Sequence, residues 1–228
     1  MKILHVADIH LNHAWCDWIT SCVSGYDLLV IAGDAQNAFS ATGTHDQARA
    51  LSKWLVKLPC DAVALCSGNH DYWPRDRRFH DVYAEAGWIR LLRGKSPIIA
   101  VDGDTVEYGG LTIHVNGWRQ IPPLNSPRAD IMITHAPPAG CPCAFGDEGR
   151  DVGDDLLWKA LPFPPRLLLC GHVHAPSERA CQWPPDSRLT TVLVPGFDDH
   201  ATFPSHWVID TTAMTAVHSC GDRIIFGP

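Results

Sequence analysis

Residues 27–34 read DLLVIAGD. An unbroken apolar run of this length, bounded by Asp27 on one side and Gly33-Asp34 on the other, is the pattern of a strand covered on both faces. Two comparable runs flank it, KILHVA (2–7) and DAVALCSG (61–68). Between the three lie a helix candidate at about 15–24 and the segment HDQARALSKWLVKL (45–58). The latter has helical spacing through Ala48, Leu51, Leu55 and Leu58 and is ended by Pro59. The order β-α-β-α-β predicts parallel strands joined by right-handed crossovers, and so an α/β fold.

The second half changes character. IIAVDGD (98–104), TVEYGG (105–110) and LTIHVNG (111–117) read as antiparallel strands joined by Asp-Gly and Gly-Gly turns. DIMITHAP (130–137) is a strand that runs into a polar loop. DVGDDLLWKAL (151–161) reads as a helix begun by Asp151 or Asp154. RLLLC (166–170), TTVLVPG (190–196) and HWVIDTT (206–212) are further strands, and the helix-poor end looks like sheet to the last residues. There is no internal repeat and no low-complexity tract. Pro-rich loops at 121–127 and 136–143 read as functional loops rather than linkers, so residues 1–228 are expected to form a single domain.

Apolar residues make up 46% of the 228, enough for a large core, and the formal charge is −7. A net acidic chain is a poor non-specific binder of duplex nucleic acid or anionic membrane. No run reaches the roughly 20 apolar residues of a membrane span, so no membrane partner is expected. The opening MKILHVADIH lacks the apolar core and cleavage site of a signal peptide. The nine cysteines are scattered, several of them in apolar runs, and read as reduced thiols of a cytoplasmic protein. Cys141 and Cys143, in GCPCAFG, have no matching Cys or His pair at zinc-finger spacing, so a loop with two free thiols is expected there.

The informative residues lie where the strands stop. Strand one ends in Asp8-Ile9-His10, strand two in Gly33-Asp34, and strand three in Gly68-Asn69-His70-Asp71. The strand at 130–134 ends in His135, and RLLLCGHVHAP (166–176) ends in Gly171-His172-Val173-His174. In an extended chain residues i and i+2 point to one side, so Asp8 with His10, and His172 with His174, can each reach one object. Ligand sites of βαβ sheets form beyond the carboxyl ends of the strands. Carboxylate, imidazole and amide oxygen suit divalent first-row metals. The set exceeds one tetrahedral zinc and fits two ions, which need a shared carboxylate at about 3.5–4 Å separation. The glycines of these blocks let the backbone turn tightly.

At this point the blocks DIH (8–10), GD (33–34), GNHD (68–71), TH (134–135) and GHVH (171–174) together resemble the calcineurin-like metallophosphoesterase superfamily. All five are present, in that family's order. HAPP (135–138), DVGDDLL and GHVHAP are similar to its small single-domain members. The resemblance implies a four-layer α/β/β/α sandwich with two mixed sheets and a dinuclear site. It implies that one ion takes Asp8, His10, Asp34 and His174, and the other Asp34, Asn69, His135 and His172, with Asp34 bridging. His70 is then the non-ligand histidine beside the phosphate that serves the leaving oxygen, and Asp71 is a candidate to hold its imidazole. Two divalent ions against Asp8 and Asp34 leave a site near +2 inside an acidic protein. A water shared by the ions, acidified toward neutrality, is expected to attack phosphorus in line.

The expected function is metal-dependent hydrolysis of phosphate esters, with phosphodiesters preferred. The expected substrate is small and phosphorylated, with nucleotides among the candidates. Manganese is the expected metal, with iron, zinc, nickel or cobalt as alternatives. A homo-oligomer is a further expectation of the resemblance. The competing readings are a nuclease of nucleic-acid ends and a metal-bearing binding scaffold without catalysis. His5 and His114 lie inside strands and read as core histidines. His45, His80, His200, His206 and His218 carry no motif. His13, Trp73, Trp118, Arg75 and Arg119 are candidates to flank a substrate, as are the loops at 11–15, 35–45, 72–80, 117–128 and 136–150. PGFD (195–198) borders the same edge with no role assigned.

Overall fold

A computed structural model describes residues 1–71, 86–121, 128–161, 163–184 and 190–227. The three expected N-terminal strands form β1 (Lys2–Val6), β2 (Leu28–Ala32) and β3 (Val63–Cys66). They pair in parallel, with Ile3 opposite Leu28 and Leu29 opposite Val63. β2 is buried along its whole length, as its unbroken apolar run requires. α1 (His13–Cys22) starts earlier than expected because Asn12 caps it, its side-chain oxygen accepting from the Trp15 amide. α2 (Thr44–Leu55) ends short of residue 58. Pro59 disfavours helical geometry in the residue before it, and residues 56–58 close in single turns instead.

Residues 98–104 do not open a hairpin. Only Ile98–Ala100 form a strand, β4, and it pairs in parallel with β3 after the short helix α3 (Gly87–Arg90). Asp104 stops that strand: its carboxylate accepts from the Val101 amide and holds Arg93 at 2.7 Å. The chain then leaves the first sheet and enters the second. There the Gly109-Gly110 turn does join β5 (Thr105–Tyr108) to β6 (Leu111–Val115) in antiparallel pairing. β7 (Ile131–Ile133), β8 (Leu167–Leu169) and β10 (Thr190–Leu193) continue the second sheet in parallel, and β9 (Ala180–Trp183) closes its edge. β11 (His206–Asp210), β12 (Thr215–His218) and β13 (Arg223–Ile225) return to the first sheet beside β1. Both sheets are therefore mixed, in the orders β13-β12-β11-β1-β2-β3-β4 and β5-β6-β7-β8-β10-β9.

Alternation along the strands sorts the core into layers. Leu4, Val6, Leu29 and Ile31 face α1 and α2. Ile3, Ala7, Leu28, Val30 and Ala32 face the second sheet, whose Ile113, Ile131, Ile133 and Leu169 meet them. Trp207 fills this middle layer and donates its indole N–H to the Val194 carbonyl at 3.2 Å. His5 also points inward, its Nε2 bonded to the Cys170 carbonyl, and is a core histidine as expected. The outer face of the second sheet packs on a 3₁₀ turn at Pro142–Ala144 and on α4 (Leu157–Ala160). This gives the expected four-layer sandwich with a thin fourth layer. The helix expected over 151–161 shrinks to α4 because Asp151 and Asp154 bind nearby amides. Asp151 accepts from Gly140 and Gly153, and Asp154 from Leu156 and Leu157.

Candidate metal centre

β1, β2 and β3 run parallel, and so do β7 and β8, so their carboxyl ends share one edge of the sandwich. Hydrogen bonds tie the sheets together there. The His172 amide donates to the Asp8 carboxylate at 3.0 Å, and His135 Nδ1 donates to the Ala32 carbonyl at 2.8 Å. Asp8, Asp34 and His135 are buried, and His10, Asn69, His70 and His172 are partly so.

The i, i+2 geometry does not arise from extended strand. Asp8, His10, Asp34 and His172 all have left-handed backbone, with φ of 53°, 46°, 52° and 69°. Such residues cost about 1–3 kcal/mol each and persist where surrounding structure holds them. The side chains converge because the chain winds after each strand. The glycines also act differently from expectation. Gly33 does turn with φ 84°, whereas Gly68 and Gly171 have ordinary φ. They are required by proximity: a methyl on Gly68 would overlap the Asp34 carboxylate, and one on Gly171 would lie 2.7 Å from Asp8 Oδ2.

His135 uses Nδ1–H on the Ala32 carbonyl, which leaves the Nε2 lone pair aimed inward. It lies 3.2 Å from Asp34 Oδ2 and 3.0 Å from Asn69 Oδ1. His10 follows the same rule. Its Nδ1 bonds the Gln36 carbonyl at 3.1 Å, and its Nε2 faces His174 Nε2 at 3.3 Å and Asp8 Oδ1 at 3.9 Å. His174 Nε2 is 3.6 Å from the same Asp8 oxygen. These are two clusters of acceptors pointed at one another, an arrangement that needs a cation or a proton at each centre.

Donor atoms within 4.8 Å of one another form the groups Asp8–His10–His174, Asp8–Asp34–His135 and His10–Asp34–His70. Asp34 thus reaches both clusters. The His172 ring stands beside those of His135 and Trp118, with centroids 4.9 and 5.2 Å away. The donor chemistry fits divalent ions: oxygen and imidazole nitrogen with backbone-fixed tautomers and no thiol among them.

The charges follow from this crowding. Burial alone would lower His135, but the Asp34 carboxylate outweighs it and raises the imidazole to about 9. Burial opposes ionisation of Asp34, yet His135 and then His70 hold it below the usual carboxylate range. Burial pushes His172 down to about 4, with His135 adding to it. The Asp8 carboxylate beside it raises His174.

His70 stands over the pair. Its amide donates to Asp34 Oδ1 at 2.8 Å, and its Nε2 lies 3.9 Å from Asp34 Oδ2. Burial lowers its pKa, with Asp34 acting against the shift. Its Nδ1 accepts from the Ala38 amide at 3.1 Å, so the neutral ring carries its proton on Nε2, toward the site. Asp71 does not hold this imidazole. Its buried carboxylate is taken up by the amides of Ala35, Gln36 and Gly68, and burial with Asp34 nearby raises it to about 7. The backbone of the loop after Asp34 orients His70, a contact that sequence spacing does not encode.

Trp118 joins the edge, packed on His135 and His172, with the exposed Arg119 stacked 5.5 Å from its ring. Phe197 of the PGFD segment packs on His10 and His174, with centroids 5.3 and 4.5 Å away. Phe39 lies 5.2 Å from His70 and is 89% exposed. His13 opens α1 and faces solvent. Trp73, Arg75, His80 and residues 122–127 lie outside the described residues.

The family model of the calcineurin-like phosphoesterases matches residues 1–176, a span that carries every residue from Asp8 to His174. Among solved structures, TT1561 of Thermus thermophilus is 11% identical, with 96% of this chain and 97% of that chain covered at a TM-score of 0.62. That likeness shows the fold. Yfce, a phosphoesterase from E. coli, is 18% identical over 100% of this chain and 98% of its own, at a TM-score of 0.44. A metallophosphoesterase from Sphaerobacter thermophilus is 15% identical over 100% and 90%, at 0.46. No curated protein matches the chain. With five strand ends converging on one set of metal-binding donors inside the matched span, the chain belongs to the calcineurin-like phosphoesterase family, hydrolases of phosphoester bonds that work with divalent metals.

Proposed function

We propose that the chain is a two-metal phosphoesterase that prefers small phosphodiesters, nucleotides among them. One ion is assigned to Asp8, His10, Asp34 and His174, and the other to Asp34, Asn69, His135 and His172, with Asp34 shared. The observation that carries this reading is the pair of inward Nε2 lone pairs. Each is fixed by an Nδ1–H bond to a backbone carbonyl, and each faces a carboxylate that a second donor also faces. Divalent ions held there lower the pKa of water and supply positive charge to the phosphate oxygens.

The chain's own residues supply the rest. His70 presents Nε2–H across the site from Asp34, placed to donate a hydrogen bond to the ester and to the departing oxygen. Trp118 offers an apolar face beside His135, and Arg119 above it suits a second negative or polar group on the substrate. Manganese is the proposed native metal on the oxygen and imidazole donor set. Nine free thiols support a reducing, cytoplasmic setting. Residues 1–228 are proposed to form one domain, because β11 from beyond the family match pairs with β1 along its whole length. Association into homo-oligomers is proposed from the resemblance alone.

The test is a screen of purified protein. Manganese, nickel, cobalt, zinc, iron and magnesium are crossed with aryl phosphomonoesters, bis-p-nitrophenyl phosphate, cyclic nucleotides and short oligonucleotides. Metal-dependent diesterase activity is expected, reduced about 10²–10⁴-fold in kcat by His70→Ala with metal content unchanged. Preference for oligonucleotides would replace this reading with a nuclease. Bound metal without turnover in any arm would replace it with a binding scaffold.

A further inference from the structure

Gln47 lies on α2 and is 1% exposed, on a helix whose Ala48, Leu51 and Leu55 are buried with it. A buried amide is costly unless its hydrogen bonds are made, and an apolar residue would fill the same space. Gln47 makes its bonds to the loop that follows Asp34. Its Oε1 accepts from the Asn37 amide at 2.8 Å, and its Nε2 donates to the carbonyls of Asn37 at 2.9 Å and Thr42 at 2.6 Å. The two bonds at Asn37 fall on successive peptide units. In the unit joining Gln36 to Asn37, the N–H meets Gln47 and the carbonyl accepts from His10 Nδ1 at 3.1 Å. In the unit joining Asn37 to Ala38, the carbonyl meets Gln47 and the N–H donates to His70 Nδ1 at 3.1 Å. The N–H and carbonyl of a trans unit point opposite ways in one plane. Each unit therefore has Gln47 at one end and a site imidazole at the other. Asp71 holds the loop earlier, at the amides of Ala35 and Gln36, and the Ser40 amide reaches the Asn37 carbonyl from within the loop. Among the described residues, Gln47 is the group that holds these two planes from outside the loop, on the side away from the site.

We infer that Gln47 is a positioning residue that sets the tautomers of His10 and His70 together, an inference that rests on the roles given to those two rings above. The rings stand close, with centroids 4.7 Å apart, yet they have opposite tasks. His10 has to present a lone pair on Nε2, so its proton belongs on Nδ1, against the Gln36 carbonyl. His70 has to present a proton on Nε2, so its Nδ1 has to accept, from the Ala38 amide. One loop meets both needs by turning a carbonyl to one ring and an N–H to the next. An amide side chain carries an acceptor and two donors on one plane, so Gln47 can hold both peptide units in that alternating order.

The experiment labels the histidines of the full-length, metal-free chain with nitrogen-15 and reads their ring nitrogens by NMR at about pH 8, above the ordinary imidazole pKa. His10→Gln and His70→Gln assign the signals. Wild type is expected to carry the His10 proton on Nδ1 and the His70 proton on Nε2. Gln47→Met fills the same space without the three bonds and is expected to shift both rings toward mixed tautomers. His218, whose Nε2 is held by the Pro195 carbonyl, is expected to keep its signals. Gln47→Glu keeps the acceptor and removes both donors, so it is expected to disturb His70 and spare His10. Circular dichroism checks folding. With saturating manganese, Gln47→Met is expected to lower kcat on bis-p-nitrophenyl phosphate about tenfold with KM nearly unchanged. The same change made on top of His70→Ala is expected to cost less than about twofold, a coupling that independent damage does not produce. Wild-type signals for both rings in folded Gln47→Met overturn the inference, as do a wild-type His70 protonated on Nδ1 and losses that simply add. Should Gln47→Met unfold, Gln47→Glu decides, and an unchanged His70 there overturns it. If His70→Ala itself leaves turnover intact, the proposed hydrolytic role of His70 falls, while the spectra still decide the role of Gln47.

Discussion

Gly68→Ala isolates what holds Asp34 in place. Gly68 has ordinary φ, so alanine meets no backbone penalty there. The added methyl falls on Asp34 Oδ1, with the Asp34 amide nitrogen at 2.5 Å and its carboxyl carbon at 2.8 Å. Ordinary contact begins at 3.4 Å, so Asp34 must retreat by about 0.9 Å against its own backbone. Asp34 Oδ1 also accepts from the His70 amide, so His70 moves with it. Overpacking of this size costs about 1–3 kcal/mol of stability. A displacement of about 1 Å at the reacting groups costs on the order of 10²-fold in rate. The assay is kcat/KM on bis-p-nitrophenyl phosphate with manganese, beside metal content by elemental analysis and a thermal melt. Gly25→Ala, where nothing lies within 4 Å, is the control and is expected to match wild type. A Gly68→Ala protein with two bound metals and wild-type kcat/KM refutes the close approach of β3's end to Asp34 as the device that positions the carboxylate.

Asp34→Asn removes the charge both clusters share, and is expected to lose metal occupancy in elemental analysis; two tightly bound ions there would assign the bridge to another group. In metal-free protein the raised pKa of His135 makes its ion pair with Asp34 a stabilising term. That term is complete below about pH 6.5 and is lost as pH rises through about 9. A metal must displace this proton, so affinity rises with pH up to about 9, by as much as roughly tenfold per unit. Melts of chelated protein and manganese titrations over the same pH range check both signs, and flat profiles contradict the pairing. Trp118→Ala is expected to raise KM for aryl diesters by roughly two- to tenfold without changing metal content, since one aromatic contact is worth about 0.5–1.5 kcal/mol; an unchanged KM removes Trp118 from the substrate face.

Much of this molecule is written in local patterns. The unbroken run at 28–32 is buried on both faces, and the spacing of Ala48, Leu51 and Leu55 lays them in the helix-side core. The polar blocks sit just past the parallel strands, so parallel pairing alone carries them to a common edge. Hydrophobic periodicity and strand-end chemistry are properties of neighbouring residues, and a sequence displays them directly.

What tertiary structure decided is non-local. β4 reads as the first arm of a hairpin, but Asp104 and Arg93 break it, and its partner became β3. β9 and β13 are short edge strands, the first half-buried throughout and the second mostly exposed, so their pairing comes from the sheets they close rather than from their own pattern. Asp71 follows His70 directly in the chain, yet three amides claimed its carboxylate and the Ala38 amide took the ring. Gly68 and Gly171 serve contact with carboxylates rather than turning. The sulfur that meets Cys143, Cys181 Sγ at 3.3 Å, arrives from β9, which no spacing rule anticipates. The physical reason is common to all of these. A residue's type fixes which bonds it can make, but the partner that completes the bond is whichever group the packed sheets leave within reach.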